Sequence, residues 1–177
     1  MKKLLLTISI ILMSFAVLSQ SCLPEGIVFE TQAQIDSFQI NYPGCTEIEG
    51  EVWIMGYDSD IVNLNGLSVL TSIGSHIFIE GNDSLTSLVG LEGLTSIRGN
   101  LNIGGELYFG SPGNPVLVSL AGLENVTTIE GDLTITANDT LLDLDGLQGL
   151  TSVGGNLRIG LEDNWGGSQG NASLTNV

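Results

Sequence analysis

A segment of about 24 residues recurs along this chain, and that recurrence leaves very few folds open. Leu70-Thr71-Ser72-Ile73-Gly74-Ser75-His76-Ile77-Phe78-Ile79 returns as Leu94-Thr95-Ser96-Ile97-Arg98-Gly99-Asn100-Leu101-Asn102-Ile103. It returns again from Val126 to Ile135 and from Leu150 to Ile159. An earlier copy, Cys45-Thr46-Glu47-Ile48-Glu49-Gly50-Glu51-Val52-Trp53-Ile54, puts a cysteine at the leucine position. Each of the first four copies runs on to a second signature, Leu-x-Gly-Leu-x-x-Leu in form, at residues 64–70, 88–94, 120–126 and 144–150.

The alternation inside the repeat gives its physical meaning. In Leu101-Asn102-Ile103 the outer residues are apolar and the middle one polar, as a strand with one buried face requires. One such turn cannot enclose its own leucines. Stacked turns bury them in a column, each leucine contributing roughly 1.5–3 kcal/mol of transfer free energy. Gly66, Gly90, Gly122 and Gly146 fall where the coil bends. The expected fold is mainly β: a right-handed parallel β-helix, or leucine-rich-repeat-like solenoid, of five turns over residues 45–177 with the last incomplete. Asp58, Asn82, Asn114, Asn138 and Asn171 share one position in the turn and are expected to form a ladder that satisfies backbone groups at the bend.

The ends of the chain carry different signals. Lys2 and Lys3 precede an uncharged run from Leu4 to Leu18, shorter than the ~20 residues of a membrane-spanning helix. Residues 1–19 therefore read as a secretory signal peptide cut before Gln20. Export to an oxidising compartment makes a Cys22–Cys45 disulfide the default, since the chain has only 2 cysteines. The competing reading acylates Cys22 as a lipoprotein, although Ser19-Gln20-Ser21 lacks the upstream leucine of that signal. Residues 20–44 read as an N-terminal cap: a short strand at 26–30, then a helix opened by the capping-box spacing Thr31-Gln32-Ala33-Gln34. At the other end the repeat stops before its Gly-Leu-x-x-Leu, so further turns and domains are expected downstream of Val177.

Cleavage removes two positive charges and takes the formal net charge from −16 to −18. So acidic a chain is a poor partner for nucleic acid or anionic membranes. No phosphate loop, zinc spacing or EF-hand spacing is present, so no cofactor and no metal site is expected. Arg98 is expected to pair with Glu130 on the adjacent turn. His76 stands alone, and Glu47, Glu49 and Glu51 read as solvated strand positions, so the chain is not expected to be an enzyme. A polysaccharide-cleaving β-helix is the rival from that class.

The Cys45–Ile54 segment, a cysteine, then Ile-Glu-Gly, then an alternating apolar strand, resembles the opening of receptor L domains, with repeats closer to L-domain-like arrays of bacterial exported proteins. That resemblance implies a right-handed, leucine-rich β-helix closed at its N-terminal end by a disulfide-linked cap. It says little of a ligand. The expected role is recognition or adhesion at the cell surface or outside the cell, toward an extracellular protein or glycan. Candidate ligand-binding residues are the outward strand column, Trp53, Phe78, Asn102 and Arg158, with Thr134 between the last two. Two glycine-rich insertions, at 104–113 and 160–170, add Tyr108, Phe109 and Trp165. A structural spacer displaying a downstream domain is the alternative.

Overall fold

The structure is a computed structural model that describes residues 20–56, 60–105, 113–160 and 171–175. Asp58, Tyr108, Phe109 and Trp165 lie outside the described residues, as does the signal segment 1–19. The described chain forms a parallel β-solenoid. One sheet, here sheet A, takes β1 (Gln20–Cys22), β3 (Cys45–Ile48), β5 (Ser72–Ile73), β7 (Ser96–Ile97), β9 (Thr128–Ile129) and β11 (Ser152–Val153), in that spatial order. Sheet B takes β2 (Ile27–Phe29), β4 (Val52–Met55), β6 (Ile77–Glu80), β8 (Leu101–Ile103), β10 (Leu133–Ile135) and β12 (Leu157–Ile159). Every pairing is parallel, and each strand pairs with the equivalent strand one turn away.

The register explains the repeat. Leu101 faces Ile77 on one side and Leu133 on the other, and Ile103 lies between Ile79 and Ile135. These six side chains are buried at 1 % exposure or less, as are Ile48, Ile73, Ile97 and Ile129 from sheet A. The third side of the coil has turns rather than long strands, and it sends in Leu64, Leu88 and Leu120 with Leu70, Leu94 and Val126. One apolar column therefore runs the length of the solenoid.

The glycines that close the bend do so for two different reasons. Gly90, Gly122 and Gly146 have φ of +113°, +115° and +111°, and a Cβ there would meet the backbone of Leu64, Leu88 or Leu120 on the preceding turn. Gly66 opens no such conformation. It lies in the 3-10 turn Asn65–Leu67, and a Cβ on it would strike the Ile35 carbonyl.

The first turn is covered by residues 20–44. β1 and β2 add a strand to each sheet, and α1 (Gln32–Asp36) and α2 (Phe38–Asn41) pack on the third side. Thr31 and Gln34 form the reciprocal capping box at the start of α1. The Gln32 carboxamide then does what another turn's backbone would do: its oxygen accepts from Val62 and Asn63 N–H, and its nitrogen donates to the Asn63 carbonyl. Phe29, Ile35 and Phe38 close the apolar column, Phe29 meeting Phe38 edge-on at 5.9 Å. Cys22 and Cys45 form a disulfide that ties β1 to β3. No helix among the described residues is long and apolar enough to cross a membrane.

Candidate functional site

Because core positions alternate with outward ones, the middle residue of each sheet-B strand projects from the coil. In-register pairing lines these residues up as Val28, Trp53, Phe78, Asn102, Thr134 and Arg158. The column divides in character. Its N-terminal half is apolar: Val28 is 44 % exposed, and Trp53 and Phe78 are half-buried. Asn102 and Thr134 point outward yet are only 5 % and 8 % exposed, so they offer little surface to a ligand; Arg158 is exposed.

The Trp53 and Phe78 rings stack with centroids 3.9 Å apart and planes 12° from parallel. Each therefore covers one face of the other. The register sets Val28 beside the remaining side of Trp53 and Asn102 beside that of Phe78. Stacking thus closes one face of each ring, and the other is turned toward a neighbouring rung. A sugar that binds by laying its C–H face on an aromatic needs an open ring face, which this stack does not offer. An edge-presenting apolar ridge suits packing against protein side chains instead.

A second column flanks the first. His76 Nδ1 accepts the Asn100 N–H at 2.8 Å, Asn100 Oδ1 accepts the Asp132 N–H at 2.9 Å, and Asp132 Oδ1 accepts the Asn156 N–H at 2.6 Å. Before them, Glu51 accepts from Trp53 Nε1–H at 3.3 Å and fixes the indole's tilt. This ladder was not read from the sequence, because its members are of three residue types and only their shared ability to accept a hydrogen bond unites them. It leaves His76 with its Nδ1 engaged by the Asn100 backbone N–H.

The two described arginines are both paired. Arg158 meets Asp132 at 3.3 Å. Arg98 meets Glu47 at 3.3 Å, not Glu130 as the sequence suggested. The intervening turn carries Ser72 and Gly74 at these positions, and their small size lets Arg98 reach back across it. The Asp132 carboxyl is held below the usual aspartate range, chiefly by the Asn156 backbone N–H, then by the Asn156 amide and the Arg158 guanidinium, with desolvation opposing. A lowered value means the contacts support the fold above the usual aspartate range and are lost as pH falls through the lowered value. Carboxyl NMR should place the Asp132 midpoint below that of exposed aspartates, and Arg158→Gln should move it up. An unchanged midpoint in the variant removes Arg158 from the account.

The asparagine column lies just beyond the sheet-B strands and is buried. Asn114 Nδ2 donates to the Ile79 carbonyl at 2.8 Å and to Asn138 Oδ1 at 3.0 Å, while its own Oδ1 accepts from Asn82 N and Nδ2. Asn138 repeats the pattern toward Ile103 and Asn171, and Asn171 donates to Ile135. Asn82 Oδ1, at the N-terminal end of the described ladder, is buried with no hydrogen-bond partner among the described residues. The repeat assigns Asp58 to the position before it, and an ionised aspartate has no side-chain N–H to give. Asp58→Asn should add that donor and raise stability by about 1 kcal/mol. Thermal melts of Asp58→Asn and Asp58→Ala decide it: equal midpoints would show that no ladder bond was gained.

Among the described residues no group of three or more His, Cys, Asp and Glu side chains could hold a metal ion. The fold and face together define a parallel β-solenoid with a polar-laddered, aromatic-ended outer sheet. Comparison with known proteins adds no relative: no family model matches the chain, and no curated protein or solved structure does.

Proposed function

We propose that this chain is a recognition or adhesion module working at the cell surface or outside the cell, and that it binds through the outer face of sheet B. The observation that carries the reading is the Val28–Trp53–Phe78 ridge, a run of apolar side chains held in register on a solvent-facing sheet. The Cys22–Cys45 disulfide suits an oxidising compartment. The likeness of Cys45–Ile54 to receptor L domains favours the same role. Of the two ligand classes expected, the covered ring faces favour a protein over a glycan. Tyr108, Phe109 and Trp165, which lie outside the described residues, are proposed from the sequence as a second set of contacts.

The test is a binding screen of the exported chain against glycan and extracellular-protein arrays, repeated with Trp53→Ala/Phe78→Ala and with Tyr108→Ala/Trp165→Ala. Saturable binding that either pair weakens tenfold or more, with circular dichroism unchanged, supports the reading. Binding that survives both pairs sinks the proposed site. A spacer role has one observation in its favour, the side-chain ladders that stiffen the coil. A chain that binds nothing on either array moves the reading there.

A further inference from the structure

The apolar ridge on sheet B stands among exposed carboxylates. Glu51, two residues before Trp53, is exposed, and one of its oxygens accepts the Trp53 Nε1–H at 3.3 Å. A carboxylate has a second oxygen to offer. Glu25 and Glu49 are exposed at the neighbouring bend, where Ile27 N–H donates to the Glu51 carbonyl and Glu49 N–H to that of Cys22. At the other end of the ridge Glu30 follows the buried Phe29 and is exposed. The pairing of Phe29 with Ile54 brings Glu30 to the level of Met55. Val28, Trp53 and Phe78 are therefore bracketed along the strand direction by Glu51 and Glu30.

No cation among the described residues neutralises this setting. Neither lysine nor arginine occurs between Gln20 and Ile97. Arg98 is held by Glu47 and Arg158 by Asp132. His76, one rung from Glu51, accepts a hydrogen bond at Nδ1 and in that form carries no charge. In-register pairing puts Arg158 four rungs from Trp53, about 19 Å at the spacing of strands in a sheet. That is more than twice the screening length of ~8 Å at physiological salt. An acidic partner is therefore repelled on approach, and a basic one is drawn in. Spacing narrows the choice further. Four residues of extended strand separate Glu51 from the level of Met55 and Glu30, about 13 Å. A cation, an apolar side chain and a second cation at alternate positions of one extended segment span that length. The aliphatic stems of its lysines or arginines can lie on the ridge while their charged ends reach the glutamates.

We propose that sheet B takes a cationic protein segment, with basic side chains paired to Glu51 and Glu30 and an apolar residue between them on Val28, Trp53 and Phe78. The inference rests on sheet B being the binding face and adds the chemistry of what that face takes. The probes are immobilised peptides repeating lysine, threonine, leucine, threonine, lysine, with two controls that carry glutamate for lysine or serine for leucine. The intact chain should bind the first peptide and neither control, and binding should fall at least tenfold as salt rises from about 0.05 to about 0.3 M. Glu30→Gln/Glu51→Gln keeps an acceptor for Trp53 Nε1–H and should weaken binding tenfold, as should Trp53→Ala/Phe78→Ala. Asp143→Asn/Asp145→Asn removes the same charge from the third side of the coil and should leave binding unchanged. The proposal is overturned if the first peptide is not bound, if the serine control binds as well, or if the glutamine pair binds like the parent. A protein-array signal lost in Trp53→Ala/Phe78→Ala but kept in Glu30→Gln/Glu51→Gln would leave the binding face standing and remove the cationic partner. A signal kept in both would remove the face as well.

Discussion

Asn114→Ala should destabilise the fold by about 3–5 kcal/mol, more than most single substitutions, because the side chain removed sits in a chain of buried hydrogen bonds. Its loss takes from Asn138 Oδ1 the Asn114 N–H donor and from the Asn82 N–H its acceptor, and removes one of the bonds that the Ile79 carbonyl and Asn82 Nδ2 share with other partners, at a depth where water is a poor substitute. A shift of this size corresponds to a fall in thermal midpoint of about 10 °C. Asn114→Asp keeps the shape and the acceptor but not the N–H donors, so it should be rescued little. Chemical denaturation of the three proteins checks the ladder. If Asn114→Asp is as stable as the parent, the donors contribute nothing.

The second large effect should come from one methyl group. Gly122→Ala is expected to cost at least about 3 kcal/mol, through a φ of +115° and through overlap of the new Cβ with the Leu88 backbone. The two causes can be separated. Asparagine tolerates positive φ better than alanine does, yet it brings the same Cβ. Gly122→Asn should therefore remain nearly as unstable as Gly122→Ala. Recovery of most of the stability in Gly122→Asn would show that the turn's conformation, not close stacking of turns, makes glycine necessary there.

Much of the fold was legible because a solenoid repeats each choice several times. The Leu-x-Ile alternation marked the sheet-B strands, whereas the recurring Thr-Ser-Ile was legible only as part of the repeat and it is the structure that shows it forming sheet A. The two cysteines could pair in only one way, and they do. The missed features depend on what lies over a side chain rather than on which way it points. Alternation sends Asn102 and Thr134 outward, but it cannot reveal that they are nearly buried there. It set Trp53 beside Phe78 without showing that their faces stack and close to a sugar.

Long side chains were the other blind spot. Arg98 passes over a whole turn to reach Glu47, and Gln32 folds back to imitate a strand edge. Glu92, Glu124 and Gln148 remain exposed yet accept the N–H of Gly90, Gly122 and Gly146 at the bend. The reach of Arg98 and Gln32 depends on three-dimensional neighbours 30 to 51 residues away in the chain, which periodicity alone does not encode.

The stacking of parallel turns, which sets Trp53 against Phe78 and makes the outer face possible, is tested most directly by nuclear Overhauser contacts in the intact chain. Cross-peaks should link Val52 to Ile77, Ile77 to Leu101, Leu101 to Leu133 and Leu133 to Leu157, with the Trp53 and Phe78 rings in mutual contact. Antiparallel Hα–Hα contacts between sequence neighbours such as Ile129 and Leu133, with the turn-to-turn set missing, would mean that the repeats fold as local hairpins and would contradict the solenoid.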